Sequence, residues 1–211
     1  MTNNEFIQAL KDLGINPTKT QLNQLEKYYK LLIEWNNKIN ITNITKKEEV
    51  YLKHFYDSLT IAKAINLNNI NNMCDVGTGG GFPGLVIKIM FPHIKTTLID
   101  SKNKKLLFIQ DVINKLDIKD VEIIHIRAEE YKNKFDLVVS RAVARIDKLV
   151  NYTMHLLNNN GTFIAMKGNI NEELTKEIEN QINKKYHIEN IIKFKLEKEN
   201  SDRSLVLIKN K

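Results

Sequence analysis

The sequence contains little cysteine and no long hydrophobic run: 211 residues include one cysteine, three prolines and eight glycines. A single cysteine excludes an intrachain disulfide and a zinc site built from a cysteine cluster. No apolar run approaches the length of about 18 residues that spans a bilayer, and residues 1–5 lack the basic and apolar regions of a secretion signal. The five histidines show no metal-ligand spacing. We therefore expect a cytoplasmic protein with no membrane association and no metal site.

Five of the eight glycines fall between Gly77 and Gly84, in the stretch M-C-D-V-G-T-G-G-G-F-P-G that starts at Met73. The residues before Gly77 are typical of a short buried strand. Glycine permits positive φ and close approach of the backbone to a ligand, and Pro83 suits the first turn of a helix. The pattern predicts a strand, a glycine turn and a helix, which together form the first crevice of a doubly wound α/β sheet.

Two ligands are compatible with this turn. Gly79, Gly81 and Gly84 fit the dinucleotide pattern G-x-G-x-x-G. Asp75 argues against a dinucleotide, because a carboxylate expected at the mouth of the pocket would repel a pyrophosphate and attract a cation. S-adenosylmethionine carries a sulfonium and an ammonium group and no phosphate. The spacing of Asp75, Gly77, Gly79 and Gly81 is similar to the first motif of class I methyltransferases, and we favour this donor, with those four residues contacting it.

The remaining pattern divides the chain at residue 66. Residues 1–66 are predicted to be helical, with capping boxes at Thr2 and Thr18, a further helix start at Thr45 and a stop at Gly14. Residues 67–211 alternate between strands and helices. Strands are predicted at 73–76, 96–100, 121–126, 135–140, 162–166, 188–196 and 203–209, with helices at 83–91, 103–116, 146–158 and 171–185. The last two strands form an antiparallel hairpin. We therefore predict an N-terminal helical segment, 1–66, and a Rossmann-like α/β domain, 67–211, with a seven-stranded sheet that is parallel except at one edge.

Candidate cofactor residues follow the second and third strands. Asp100 lies 21 residues after Gly79, a spacing at which a carboxylate meets ribose hydroxyls in either cofactor. Its alternative role is to cap the helix at residue 103. Ala128 and Glu129 follow the third strand, where a backbone N–H and a carboxylate can bind the edge of an adenine.

The arginines indicate an anionic partner. The net charge is +7, but only four residues are arginine, and Arg127, Arg141 and Arg145 follow the third and fourth strands. The planar guanidinium suits phosphate or a guanine edge, although surface salt bridges are an alternative. Lys167, after the fifth strand, is a further candidate for contact with RNA phosphate.

Four aromatic or imidazole side chains have alternative interpretations. His54 is a catalytic base, a ligand or a hydrogen-bonded packing residue, and we favour the last. Trp35 and the pair Tyr28 and Tyr29 lie at helical spacing, which is more typical of a core than of a base-stacking surface.

These motifs together resemble the RsmG (GidB) family of bacterial methyltransferases. The resemblance covers nearly the whole chain. It rests on the segments that begin at Trp35 (W-N-x-x-I-N-I-T), His54 (H-x-x-D-S-L), Asp75 (D-V-G-T-G-G-G-F-P-G), Asp100 (D-S), Arg127 (R-A-E), Ser140 (S-R-A) and Lys167 (K-G). It implies methylation of N7 of a guanine in the 530 loop of 16S ribosomal RNA. It also implies cofactor contacts from Gly77, Phe82, Ala128, Glu129 and Arg141.

The chemistry of such a reaction needs no strong general base, since N7 has a free lone pair at neutral pH. We expect Asp75 and Glu129 to hold the donor, and Arg141 and Arg145 to orient the guanine or its phosphates. The expected partner is 16S ribosomal RNA or the small ribosomal subunit, bound by a monomer. The alternatives are an NAD-dependent oxidoreductase on the same sheet and a nonenzymatic RNA-binding module.

Overall fold

A computed structural model describes all residues, 1–211, and contains one sheet. Its strands are β1 (Asn72–Val76), β2 (Lys95–Asp100), β3 (Val121–His125), β4 (Phe135–Arg141), β5 (Leu157–Lys167), β6 (Tyr186–Lys195) and β7 (Asp202–Asn210). Their order is β3-β2-β1-β4-β5-β7-β6. The pairs among β1 to β5 are parallel, whereas β7 is antiparallel to both β5 and β6. The predicted seven-stranded sheet and terminal hairpin are confirmed, and the antiparallel strand lies one position in from the edge.

Eight α-helices surround the sheet. They are α1 (Asn3–Asp12), α2 (Lys19–Asn36), α3 (Lys47–Val50), α4 (Asp57–Leu59), α5 (Gly84–Met90), α6 (Asn103–Leu116), α7 (Ile146–Thr153) and α8 (Lys176–Lys185). A π-helical turn, Tyr51–Tyr56, joins α3 to α4, and a 3-10 turn, Thr60–Lys63, follows. None of the helices combines the length and the apolarity that a membrane crossing requires.

The helix ends show which local sequence signals determine where a helix begins or ends. Both predicted capping boxes, at Thr2 and Thr18, are present, and Gly14 adopts a φ of 76° just after α1. The start predicted at Thr45 is wrong, because α3 begins at Lys47 without a side-chain cap. The helix predicted from residue 171 begins instead at Lys176, since the Thr175 side chain accepts from the Ile178 N–H and caps it there.

The end of the helix predicted at 146–158 also differs. α7 ends at Thr153, a 3-10 turn follows at Met154–Leu156, and β5 begins at Leu157 rather than at residue 162. The extension of β5 pairs Leu157 with Phe135, and the extra residues 158–161 of β5 shift the register before Thr162 pairs with Leu137. A strand neighbour that is distant in sequence therefore overrides the local helical pattern at this point.

The sheet separates two hydrophobic cores, and alternate side chains of each central strand enter opposite cores. Leu137 and Val139 of β4 join the core that contains α1, α2, α5 and α6, whereas Val138 joins the core under α7 and α8. The helices of the N-terminal segment thus share one core with the sheet, and no separate core lies beneath residues 1–66.

The strand order reverses between β1 and β4, which are neighbours although two strands separate them along the chain. In open α/β sheets the carboxyl ends of the strands at such a reversal form a crevice that binds ligands. The glycine turn follows β1, and Arg141 ends β4 with Ala142 directly after it, so both predicted motifs lie at this crevice.

Candidate active site

The glycine turn connects β1 to α5. Gly77, Gly79 and Gly81 have φ values of 72°, 58° and 88°, the left-handed region that glycine adopts without steric cost. A Cβ at Gly77 would overlap the Val143 side chain, and one at Gly81 would overlap the Tyr28 hydroxyl. The turn therefore requires glycine both for its backbone conformation and for its close neighbours.

Tyr28 of α2 supports this turn from below. Its hydroxyl donates to the carbonyl of Gly80, and its fully buried ring stacks on Phe82 with the centroids 5.6 Å apart. The prediction that Tyr28 belongs to the core is confirmed. A helix of the N-terminal segment thus fixes the turn at the end of β1.

A cavity of about 630 Å³, here called the glycine cavity, opens above the turn at the carboxyl ends of β1 to β4. It is lined by seven of the nine residues predicted to contact a cofactor: Gly77, Gly79, Phe82, Asp100, Ala128, Glu129 and Arg141. Asp75 and Gly81 do not line it. Sequence reasoning missed Ile41, Thr42 and Lys105, which also line it. Ile41 and Thr42 are held there because their N–H groups donate to the Asn36 side chain.

The expectation that Asp75 lies at the mouth of the pocket is wrong. Side chains alternate along β1, and Asp75 faces α5, where it is fully buried. Its Oδ2 accepts from the Gly84 N–H at 2.8 Å, and its Oδ1 has no partner. Burial raises the pKa of Asp75 to about 6 despite that hydrogen bond. Asp75 therefore holds the start of α5 against β1 rather than presenting charge to a ligand.

Asp100 is the carboxylate that lies beside the glycine turn. Its Oδ2 accepts from the Gly79 N–H and its Oδ1 from the Lys102 N–H, both at 2.8 Å. The alternative role of Asp100 as the cap of α6 is wrong, because the N-cap residue is Lys102 and no side chain caps that helix. Asp100 lines the cavity, and its contact with ribose hydroxyls stays a prediction. Glu129, on the 3-10 turn after β3, is exposed and lines the cavity without an internal partner for its carboxylate.

His54 packs against the cavity wall. Its ring stacks on Phe82 with a centroid distance of 4.4 Å, and its Nε2 lies 2.8 Å from the Thr42 hydroxyl. Burial, with Arg141 adding a smaller effect, lowers the pKa of His54 to about 3. The imidazole is therefore neutral at neutral pH, in agreement with the interpretation as a hydrogen-bonded packing residue.

Asp57 joins three distant parts of the chain. Its Oδ2 accepts from Arg141 at 3.2 Å and its Oδ1 from Arg203 at 2.9 Å. Arg141 also donates to the carbonyl of Lys53 at 2.9 Å, and its side chain is 15% exposed. These partners hold part of the guanidinium, which still lines the glycine cavity, and the role expected for Arg141, to orient the guanine or its phosphates, stays a prediction. Sequence reasoning missed Arg203, although it is the one remaining arginine.

Lys167 and Arg145 have opposite environments. The Lys167 ammonium donates to the Ala144 carbonyl and to Glu173 at 2.7 Å, and its side chain is only 8% exposed. Lys167 is thus paired inside the protein although it lines a cavity, and its contact with RNA phosphate stays a prediction. Arg145 is 57% exposed and has one ion pair, with Asp147 at 3.5 Å, so it remains a surface cation.

A second cavity, here called the arginine cavity, adjoins the first. It has a volume of about 500 Å³ and lies between the carboxyl ends of β4 and β5 and the hairpin of β6 and β7. The two cavities share His54, Arg141 and Ala142. Ala142 has a φ of 54°, an uncommon conformation for a residue with a Cβ and one that clusters at functional sites. The site therefore consists of two compartments with a common wall.

Comparison with known proteins identifies the family. The family model described as GidB, rRNA small subunit methyltransferase G, matches residues 21–206. The chain is 42% identical over 212 residues to the ribosomal RNA small subunit methyltransferase G of Bacillus subtilis (strain 168), covering 97% of this chain and 89% of that protein. The protein of the same name from Exiguobacterium sibiricum is 42% identical over 218 residues, covering 100% and 92%. This chain belongs to the rRNA small subunit methyltransferase G family.

Solved structures agree with the methyltransferase G assignment at the level of the fold. A SAM-dependent methyltransferase from Aquifex aeolicus matches with a TM-score of 0.60 and 16% identity, over 80% of this chain and 96% of that chain. TYW2 of M. jannaschii, solved in complex with AdoMet, matches with a TM-score of 0.56 and 15% identity, over 68% and 71%. At these identities the likeness shows the Rossmann-like methyltransferase fold alone.

The glycine cavity fits the cofactor of the methyltransferase G family, S-adenosylmethionine. Gly77, Gly79 and Gly80 line it, a Cβ at Gly77 or Gly80 would overlap a neighbouring side chain, and the carboxylates of Asp100 and Glu129 line it as well. The chain is an S-adenosylmethionine-dependent methyltransferase, which sets aside the oxidoreductase and the nonenzymatic module. Of the carboxylates predicted to contact the donor, those of Asp100 and Glu129 line this cavity and that of Asp75 does not.

Proposed function

We propose that this methyltransferase transfers a methyl group to N7 of a guanine in the 530 loop of 16S ribosomal RNA. The names of the relatives support a small-subunit RNA substrate, and the sequence resemblance supports the atom and the loop. We further propose that it acts as a monomer in the cytoplasm, on 16S ribosomal RNA or on the small subunit.

The observation that carries the choice of N7 is the chemistry of the wall between the two cavities. His54 is neutral and packed, and Arg141 is a cation, so neither is a strong base. The nearest carboxylate, Asp57, is paired with two arginines. N7 carries a lone pair and has no proton to lose, so an acceptor of this kind suits a wall without a base.

The roles follow from position. We propose that Gly77, Gly79, Phe82, Asp100, Ala128 and Glu129 hold the donor in the glycine cavity. When bound, S-adenosylmethionine supplies a methyl group to the N7 lone pair while the carbon–sulfur bonding electrons return to sulfur, which leaves a cationic 7-methylguanine. Asp75 and Gly81 act behind the turn, through Gly84 and Tyr28, by fixing its shape.

The three basic residues on the acceptor side of the site have different proposed roles. Arg141 orients the guanine at the common wall, and Arg145 meets RNA phosphate on the surface. Lys167 acts as a positioning residue, because its ammonium ties the loop after β4 to Glu173. Rigid alignment of donor and acceptor is the main source of rate that such an arrangement offers.

The test is transfer of a labelled methyl group to 16S ribosomal RNA and to small subunits that lack the modification, followed by mass mapping of the modified base. We expect one 7-methylguanine in the 530 loop. A transcript with that guanine replaced by adenine is the control and should accept no label. Label on another atom or another nucleotide would refute the proposed acceptor.

A further inference from the structure

The arginine cavity has no assigned ligand, although it shares a wall with the donor side of the enzyme. We infer that it is the pocket for the acceptor guanine and that Glu199 is the residue that distinguishes guanine from other bases. This inference rests on the proposed function, because it assumes a guanine acceptor. It assigns a new binding site and a specificity residue in the turn between β6 and β7.

The lining of the cavity suits a flat heterocycle. Met166, Phe194 and Leu205 supply apolar surface, and Phe194 offers an aromatic face on which a base can stack. Charged groups of both signs, among them Lys53 and Glu199, complete the lining. A volume of about 500 Å³ lies within the range typical of small-ligand sites.

The shared wall sets the direction in which a guanine must face. N7 and O6 lie on one edge of guanine, and the N1–H and N2 amino donors follow O6 on the adjacent Watson–Crick edge, farther from N7. If N7 faces the glycine cavity, O6 meets the common wall, where Arg141 has N–H donors beyond those used by Asp57, Lys53 and His54. The donor edge then faces the part of the arginine cavity that the two cavities do not share.

Glu199 lines that remote part and not the glycine cavity. Its Oε1 accepts from Lys53 at 2.6 Å and its Oε2 from Ser201 at 3.0 Å. The hydrogen bond from Lys53 lowers the pKa of Glu199, so the carboxylate is ionised at neutral pH and only accepts. Each oxygen retains a further lone pair. A carboxylate in this place can accept from both N1–H and the N2 amino group.

This pairing discriminates by chemistry. Adenine has no N2 amino group, and its N1 is an acceptor that would oppose the Glu199 carboxylate. Its amino group also replaces O6, so it would oppose the Arg141 donors at the common wall. Adenine would therefore leave both the Glu199 carboxylate, which is 33% exposed, and the Arg141 guanidinium without a partner on the base.

The turn that carries Glu199 is held in place. The Leu196 N–H donates to the Ser201 carbonyl at 2.8 Å, and the Asn200 N–H donates to the Leu196 carbonyl at 3.0 Å. Arg203, just after the turn, is fixed by Asp57 and by the Ser201 hydroxyl at 3.1 Å. The Glu199 carboxylate therefore lies on a structured turn and not on a free loop, and a specificity residue requires such a rigid support.

The other candidate occupant of this cavity is an RNA phosphate held by Lys53 and Arg203. Lys53 and Arg203 are already ion-paired, with Glu199 and with the Asp57 that Arg141 shares, so a phosphate would have to compete with these carboxylates for them. A base with both donors and acceptors matches the mixed charges better than an anion does.

The experiment compares Glu199→Ala and Glu199→Gln with Glu189→Gln as the matched control. Glu189 is an ion-paired glutamate on β6 that lies outside both cavities. The substrates are small subunits that carry guanosine or inosine at the target position, since inosine lacks only the N2 amino group. The measurements are kcat/KM for each substrate, donor affinity by calorimetry and the thermal midpoint.

We expect the wild type and Glu189→Gln to prefer guanosine over inosine by about 10-fold, the value of one hydrogen bond to a charged group. Glu199→Ala should lose about 10- to 100-fold in kcat/KM on guanosine and reduce that preference to about 1, with unchanged donor affinity. Glu199→Gln, which keeps one acceptor, should fall between them.

Three outcomes for Glu199→Ala would overturn the inference. The first is an unchanged preference for guanosine, and the second is a loss of donor affinity as large as the loss of kcat/KM. The third is a change only in the salt dependence of RNA binding, which is the signature of a phosphate contact. A wild-type enzyme that labels no guanine of 16S ribosomal RNA would instead refute the proposed function, and the two failures are therefore distinguishable.

Discussion

Replacing Tyr28 by phenylalanine removes one hydroxyl and keeps the ring that stacks on Phe82. That hydroxyl donates to the buried carbonyl of Gly80, and no other part of α2 reaches the glycine turn through a hydrogen bond. The adjacent Tyr29 provides a matched control, because its hydroxyl donates to the Thr45 carbonyl at 3.2 Å near the surface, away from the cavities.

The magnitude follows from what Tyr28→Phe leaves behind. A buried carbonyl without its partner costs about 1–3 kcal/mol, which corresponds to a fall of about 2–12 °C in the thermal midpoint of a chain of this size. The Gly80 carbonyl belongs to the turn that lines the glycine cavity. A turn that spends part of its time outside the binding conformation lowers the apparent affinity for the donor in proportion, and we expect a weakening of about 3- to 10-fold.

The assay is thermal unfolding together with calorimetric titration of S-adenosylmethionine into both variants. Tyr29→Phe should change the thermal midpoint by less than about 2 °C, as an exposed hydrogen bond implies, and should leave the affinity unchanged. If Tyr28→Phe behaves like Tyr29→Phe in both measurements, the hydroxyl does not support the turn and the reasoning fails.

The remaining predictions concern the buried ionic groups and the surface. Asp57→Ala leaves Arg141 and Arg203 without a counter-ion and should lower the free energy of unfolding by about 3–5 kcal/mol in urea titrations; a loss below about 1 kcal/mol would contradict the pairing. Arg145→Ala should weaken RNA binding and reduce the salt slope by about one counter-ion, and an unaltered slope would remove this side chain from the RNA surface. Because the pKa of Asp75 is raised in the folded state to about 6, the folded protein binds this proton more tightly than the unfolded chain does. The group therefore costs stability progressively as pH rises from about 4 to 6, by about 3 kcal/mol, and Asp75→Asn should show a smaller decline over that window in paired unfolding curves.

Sequence reasoning succeeds here where the information is local. Capping boxes at Thr2 and Thr18, the glycines of the turn and the alternation of strands and helices are read over a few residues, and the structure contains them at the predicted places. The topology also follows, because strands that alternate with helices form parallel crossovers and a short polar link forms a hairpin. Seven of the nine predicted cofactor residues lie around one cavity because they end neighbouring parallel strands.

The roles of side chains whose partners are distant in the chain cannot be predicted from the sequence. The motif predicts that Asp75 faces a ligand, but the alternation of side chains along β1 places it under α5, and only the packing of that helix shows this. The sequence shows no counter-ion for Arg141 or Lys167. In the fold, Arg141 pairs with Asp57 and Lys167 pairs with Glu173.

The sequence by itself thus determined the family, the sheet and the glycine turn, because motifs and periodicities are properties of short segments. The tertiary structure alone decided which charges are paired and which face a cavity. Arg203 contacts Asp57 across 146 positions of the chain, and Tyr28 contacts Gly80 across 52. Hydrogen bonds and ion pairs act over a few ångströms of space, and the distance between two residues in space is fixed only when the helices and strands that carry them have packed.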